Sequence, residues 1–365
     1  MRKSRTRLGG LLVVAVMACT VLVSCGGEPS SPTRSAQPTV TRSPEGLLTW
    51  HGLPDPNIWD TRFGFVLTWV TSPLGRAPVR EEVARVDARD GKVRAERSVG
   101  GTVLDALGAD GSLFVTVLSS EGLSLLRIHP ESLMTIHSWN VVSGRIEFAV
   151  GTVVSAEGGI WVSGGDRLDR VDPANNRIVR SIDLPGFSIS EVTSNSTGTA
   201  LVLSVSDEGG AGYVERRDPE SGGLLGTSAQ ITGVRGPFVE GVAGDDLWVN
   251  VPTGNMGFTE LFSLVTLAPV GAPCDEGLSS PTCLVGTNGI TAQLVRGLLW
   301  VTQYAGGPSR NFCGRPDGTY LAPLPTGDDF VAIGTESRVL FALGQVVPPH
   351  KSSTLSEVPV PSECR

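Results

Sequence analysis

Triplets of apolar residues, each opening a strand-like run just after a glycine, aspartate or other turn residue, recur along the chain. They are Phe65-Val66-Leu67, Leu113-Phe114-Val115, Ile160-Trp161-Val162, Leu201-Val202-Leu203, Leu247-Trp248-Val249, Leu299-Trp300-Val301 and Val339-Leu340-Phe341. Their central residues are 48, 47, 41, 46, 52 and 40 positions apart. A four-stranded propeller blade occupies roughly 40 to 50 residues, so the period predicts seven blades. A second marker keeps nearly the same step: Arg85-Val86-Asp87-Ala88, Arg127-Ile128-His129-Pro130, Arg170-Val171-Asp172-Pro173 and Arg216-Arg217-Asp218-Pro219. Asp before Pro initiates a turn, because the proline ring fixes φ and pushes its predecessor out of the helical region.

One unit is clearest from Gly158 to Gly186, where strand-length runs alternate with Gly, Asp, Pro and Asn clusters. Such alternation predicts consecutive hairpins. Trp161 falls in the second strand, Leu168 to Val171 in the third, the turn at Asp172 to Asn176, and Arg177 to Leu184 in the fourth. The expected fold is therefore all-β: a seven-bladed β-propeller of four-stranded antiparallel blades. The last unit offers strands only from about Phe330 to Val347 and at Leu355 to Val360, which leaves an open edge. Open edges pair with whatever strand is at hand, so the segment Gly46 to Gly52, or a strand beside it, is expected to complete the seventh blade.

The segments Ile160 to Leu184 and Leu247 to Val251 resemble the bacterial propellers of the virginiamycin B lyase-like and YVTN-repeat group, over about residues 50 to 345. The resemblance implies the propeller fold. For a lyase it further implies a histidine and acidic side chains around a magnesium ion at the channel mouth. His51, His129, His137 and His350 are scattered, with none in a late blade, so no residue is carried over from that pattern.

The N-terminus predicts export. Arg2, Lys3, Arg5 and Arg7 form a basic region ahead of an uncharged apolar stretch from Leu8 to Val23, the layout of a signal peptide. The stretch ends Leu22-Val23-Ser24-Cys25-Gly26, which resembles the bacterial lipobox and implies that Cys25 is acylated and becomes the first mature residue. The alternative is an uncleaved membrane anchor, since about 20 apolar residues span a bilayer. From Gly26 to Pro44 the sequence is rich in Pro, Ser, Thr and Gly and has little apolar material with which to offset its ordering entropy. The expected organisation is a lipoprotein signal at 1–24, a disordered tether at 25–46 and a propeller at 47–365, lipid-anchored on the extracytoplasmic face of the cell membrane.

Composition agrees with this picture. Glycine makes up 46 of 365 residues and charged residues only 18 %, as in turn-rich β proteins. The formal net charge of −8 becomes −12 once the four basic residues of the signal are removed. That charge excludes nucleic acid as an electrostatic partner. In an oxidising compartment, the four cysteines beyond Cys25 point to disulfides. Four cysteines allow three pairings; the expected one is Cys274 with Cys283 and Cys313 with Cys364. None of them has the spacing of a zinc site, so neither metal nor cofactor is expected.

No nucleophile elbow, metalloprotease helix, phosphate loop or calcium loop occurs. Trp161, Trp248 and Trp300 recur at one blade position, which marks them as packing residues. The segments Pro252 to Glu260 and Gln303 to Thr319 are expected to be long loops joining second and third strands in blades 5 and 6. They supply the candidate ligand-binding residues Phe258, Tyr304, Arg310 and Asn311, apolar anchors beside polar directors. The expected function is a binding or interaction scaffold for an envelope protein or small ligand. The alternative is an extracytoplasmic hydrolase or lyase with its site at the channel mouth.

Overall fold

The residues described by the computed structural model are 39–44, 46–53, 57–61, 64–70, 81–87, 92–144, 151–195, 197–231, 237–253, 256–271, 282–286, 290–295, 298–303, 310–324, 329–333, 340–343, 353–358 and 360–364. They fall within one compact unit, Gln37–Arg365; the other unit, Met1–Ala36, lies outside them and takes the signal and Cys25 with it.

These residues form seven antiparallel sheets. Blade 1 is Asn57–Thr61, Gly64–Val70, Glu81–Val86 and Val93–Ser98; blade 2 is Thr102–Ala109, Ser112–Ser119, Gly122–Ile128 and Thr135–Ser143. Blade 3 is Val153–Ala156, Gly159–Gly164, Arg167–Asp172 and Arg177–Asp183; blade 4 is Phe187–Ser194, Leu201–Asp207, Gly212–Arg217 and Leu224–Thr227. Blade 5 is Phe238–Ala243, Asp246–Thr253, Met256–Ser263 and Cys283–Gly286; blade 6 is Ile290–Val295, Leu298–Gln303, Arg310–Gly314 and Tyr320–Pro323. Within each blade the strands are neighbours in chain order. The first strands pack in sequence from blade 1 through blade 6, and that of blade 7 packs on that of blade 1, the ring order of a propeller.

Blade 7 takes its first three strands from the C-terminal region, Asp329–Ile333, Leu340–Leu343 and Ser353–Val358. Its fourth, Leu48–Leu53, comes from the N-terminal region and pairs with Ser353–Val358. The two ends of the propeller chain therefore share one sheet. This blade departs from the four-stranded pattern, because Thr39–Arg42 adds a fifth, outermost strand. Strand pairing thus begins inside the segment expected to be tether. The physical reason is a local hairpin. Ser43 and Gly46 close the turn, with Gly46 N–H donating to the Ser43 carbonyl at 2.9 Å and Ser43 N–H to the Leu47 carbonyl at 2.8 Å. Gly46 has φ +89°, a left-handed geometry that costs glycine little, and the β-branched Val40 and Thr41 suit the added strand.

The apolar triplets lie in the second strands, save Val339, which lies outside the described residues, and burial explains why they were legible. Gly159–Gly164 is buried at every position, whereas Arg177–Asp183, the outer strand of the same blade, is mostly exposed. A second strand is covered on both faces by neighbouring blades and so has no polar alternation. Among the described residues, the interfaces from blades 1–2 to blades 5–6 each have a buried apolar cluster. Phe114, Leu125 and Trp139 meet Ile160 and Val162 between blades 2 and 3; Trp161 and Leu168 meet Leu201 and Leu203 between blades 3 and 4; Val202 and Val214 meet Val239 and Leu247 between blades 4 and 5.

Proline-bearing turns latch blades 3, 4 and 6 to the blade before each. Trp161 of blade 3 donates its indole N–H to the Pro219 carbonyl in the turn of blade 4 at 2.9 Å, and Trp248 of blade 5 donates to the Pro316 carbonyl of blade 6 at 2.6 Å. Blade 6 lacks the marker in its usual order, but Arg315-Pro316-Asp317 supplies the same proline carbonyl. In blade 2 the tryptophan position holds Phe114, which has no N–H. There Arg127 lies 5.9 Å from the Phe114 ring centre and donates to the Pro173 carbonyl and to Asn176 Oδ1. His129 fills the aspartate position of its turn by accepting from Glu131 and Ser132 N–H through Nδ1, both at 3.3 Å.

Candidate functional site

Strand alternation gives the ring two faces. The connections between first and second strands, and between third and fourth, lie on one side, here the 3–4 face. Those between second and third strands, and from one blade to the next, lie on the other, the 2–3 face. Leu48 begins the fourth strand of blade 7 at the 3–4 face, and Thr39 pairs with His51, so the chain joins the propeller from the 2–3 side.

The expected binding loops are shorter than the sequence suggested. In blade 5 the second strand runs to Thr253 and the third begins at Met256, with Thr253 and Met256 directly paired. Phe258 is thus a strand residue, half-buried and paired with Val251 and Val285, and not part of a loop. In blade 6, Arg310 and Asn311 belong to the third strand and pair with Gln303 and Thr302. Asn311 is buried, and its carbonyl accepts from Leu324 N–H at 2.8 Å. Alternating buried positions, such as Thr259 with Leu261, extended these strands further than the glycine-rich composition implied. Phe258 and Arg310 still come to the 2–3 ends of adjacent blades. Tyr304, the fourth candidate, lies outside the described residues.

Cys313 and Cys364 form a disulfide, both residues buried beside Trp300 and Val360. Cys313 pairs across the strands with Trp300, as Arg127 does with Phe114. The bond therefore occupies the latch position of blade 6 and reaches the C-terminal tail, which stands where the turn of blade 7 would be. Cys283 is also disulfide-bonded; Cys274 lies outside the described residues.

Around the channel the structure assembles a set of residues that the sequence reading did not single out. Two positions after the triplet centre the residue is Thr116, Ser163, Ser204 or Asn250 in blades 2 to 5. Opposite Thr116, Ser163 and Ser204, the innermost strands of blades 2 and 4, and the residue leading into that of blade 3, carry Asp105, Glu191 and Thr152. Each of these three accepts a backbone N–H from the next blade. Asp105 Oδ2 accepts from Val153 at 2.8 Å, Thr152 Oγ1 from Val192 at 2.8 Å, and the Glu191 carboxylate from Val239. Glu240 of blade 5 accepts from Asn250 Nδ2 at 3.0 Å.

Glu191 is enclosed by protein on nearly every side yet keeps some accessible surface, as a side chain lining a narrow channel would. Burial first, and then the negative charges of Glu240 and Asp105, push its carboxyl well above the usual range; the Val239 N–H pulls weakly the other way. The signal that could have found this site was present as spacing: an acidic residue in the strand preceding a triplet, opposite a Ser, Thr or Asn two places beyond its centre. Among the described residues no group of three or more His, Cys, Asp or Glu is placed to hold a metal ion, and no helix is long and apolar enough to cross a membrane.

Solved structures match this arrangement across most of the chain. BamB from Moraxella catarrhalis superposes with a TM-score of 0.50 at 12 % identity, over 88 % of this chain and 94 % of that one. The WD40 domain of Toxoplasma gondii coronin gives 0.54 at 12 % identity over 85 % and 82 %; a chain of a Mitotic Checkpoint Complex gives 0.51 at 13 % over 96 % and 100 %. The shared feature is the propeller fold. At such identities a likeness speaks for the fold alone. No protein-family model matches the chain, and no curated protein matches it in sequence.

Proposed function

We propose that the chain is a lipid-anchored, extracytoplasmic β-propeller that acts as an interaction scaffold for another envelope protein and docks through its 3–4 face. The observation that carries the reading is a band of exposed apolar side chains around that face. Each of blades 2 to 6 has one within the first three residues of its outer strand or in the turn before it: Met134 and Ile136, Val179, Leu224 and Leu225, Val265, and Tyr320. Val265 is 62 % and Met134 59 % exposed. Single exposed apolar residues are ordinary, but a band repeated blade by blade on one face is the kind of surface a partner covers. The closed ring gives it a rigid frame, so docking costs little ordering entropy. The fold also occurs within an assembly, the Mitotic Checkpoint Complex. The anchor rests on Leu22-Val23-Ser24-Cys25, and the resemblance to the YVTN-repeat propellers belongs to the same proposal.

Photo-crosslinking in intact cells tests the docking face. A crosslinking amino acid at Leu225 or Val265 should give one discrete adduct. The same group at Glu208, exposed in the connection between second and third strands of blade 4, should give none. Equal adducts from both faces would overturn the assignment. For the anchor, Cys25→Ser should release the protein from the membrane fraction; a variant still membrane-bound with a normally cleaved terminus would exclude a lipid there.

A further inference from the structure

We propose that the inner edge of blades 4 and 5, built from Glu191, Ser204 and Glu240, is a binding site for an organic cation, a primary ammonium or guanidinium group. Ser204 and Glu191 are direct cross-strand partners, so their side chains share one face of the blade 4 sheet. That face is turned toward blade 5. Val202, two residues from Ser204 on the same strand, packs there against Val239 and Val249, and Val239 donates its N–H to Glu191.

The hydroxyl of Ser204 points to a missing ligand. Ser204 is fully buried, and its Oγ has no hydrogen-bond partner. In the neighbouring blades the same position is satisfied: Thr116 Oγ1 donates to the Gly151 carbonyl of blade 3 at 2.5 Å, and Ser163 Oγ shares a hydrogen bond with Thr152 Oγ1 at 2.9 Å. Blade 4 thus breaks a repeated device, and it does so beside a carboxyl. A buried polar atom left alone is unfavourable, so the site is built for something that supplies a donor or acceptor. The two charges that act on Glu191, those of Glu240 and Asp105, are both negative, which selects a cation.

Size then separates the cations. A bare metal ion needs several ligands converging within about 2.0–2.6 Å of one point, and the described acidic residues do not converge in that way. A planar guanidinium or an alkylammonium spreads its N–H donors over a greater span, which suits the cross-strand pair Glu191 and Ser204 with the charge of Glu240 acting on it. Occupancy favours the ionised form of Glu191, so binding expels a proton from it and tightens as pH rises. The charged groups facing Glu191 in this process are Glu240 and Asp105.

Calorimetry on the purified full-length chain tests the assignment, with methylguanidinium and n-propylammonium as free cations, an arginine-containing pentapeptide as a side-chain source, and Mg²⁺ as control. The free cations should bind in the millimolar range with proton release, seen as a heat that changes with the ionisation enthalpy of the buffer. Glu191→Gln should weaken binding at least tenfold and abolish the release. Ser204→Ala should weaken it about fivefold, the value of one hydrogen bond; it also provides a readout if Glu191→Gln misfolds. A peptide binding ten times more tightly than the free cations would assign the site to a partner's side chain, and equal affinities to a small molecule; both support an organic cation. Absence of heat at 20 mM cation, preference for Mg²⁺, or equal weakening in the surface variant Glu208→Gln would overturn it.

Discussion

Removing the Cys313–Cys364 bond should loosen the closure of the ring in a way that can be measured at one blade. The bond spans 51 residues, a stretch that contains the first three strands of blade 7. In the chain-entropy model, a cross-link over that length lowers the entropy of the unfolded chain enough to stabilise the fold by about 4 kcal/mol. Because both sulfurs are buried beside Trp300 and Val360, truncating them to alanine adds roughly 1 kcal/mol of lost packing. For a propeller of roughly 320 residues, with an unfolding entropy of about 2.1 cal/mol/K per residue, a loss of about 5 kcal/mol lowers Tm by roughly 7 °C. The assay is calorimetry of Cys313→Ala/Cys364→Ala beside hydrogen exchange. Exchange should accelerate in Ser353–Val358 and Leu340–Leu343 and remain unchanged in blades 3 and 4, whose latches are hydrogen bonds from Trp161 and Arg127. Either single alanine variant should lose nearly as much as the double one, since each breaks the bond. A Tm drop under about 1 °C with unaltered exchange in blade 7 would refute the view that the bond takes over the role of a latch.

Trp161→Phe and Trp248→Phe remove one interblade hydrogen bond each and leave a gap, so each should cost about 2–3 kcal/mol by denaturant titration; a cost below about 0.5 kcal/mol would dismiss the latch. Gly222→Ala should cost about 2–4 kcal/mol, because Gly222 has φ +70° and an added Cβ would lie 2.2 Å from Ile182 and 2.7 Å from Trp161; unchanged stability would contradict that packing. Glu191→Gln should alter the pH dependence of stability. The folded protein holds the Glu191 proton more tightly than the unfolded chain does, so this stabilisation is full below the ordinary carboxylate pKa and is lost as pH rises through the raised value. The Tm advantage of the glutamine variant should grow from pH 5 to pH 9, and a constant difference would exclude a raised pKa.

The fold was legible because its strongest constraint is local. A second strand buried on both faces must be apolar without interruption, and a turn from third to fourth strand must bend within a few residues. Triplets such as Ile160-Trp161-Val162 and turns such as Asp172-Pro173 therefore repeat in the sequence with the period of the blade. The position of Pro219 or Pro173 in a turn could be read in the same way. That their carbonyls receive an indole or guanidinium from the preceding blade could not, since donor and acceptor lie 46 to 58 residues apart.

The candidate site was much less legible. Phe258, Arg310 and Asn311 looked like loop residues because glycine-rich composition was weighed above the buried alternation of Thr259 and Leu261. Asp105, Glu191 and Glu240 stand 86 and 49 residues apart in the chain with no shared motif. The sequence by itself determined the all-β class, the number of blades and the N-terminal segment that completes the seventh, because each depends on which residues can be buried or turned in their own neighbourhood. Only the tertiary structure decided that the charges of Asp105 and Glu240 act on Glu191, that Ser204 stands without a partner beside Glu191, and that blades 2 to 6 each bring exposed apolar residues to the 3–4 end of their outer strands. Those facts depend on how closing a ring brings together residues from different blades, and no local pattern in a chain records that distance.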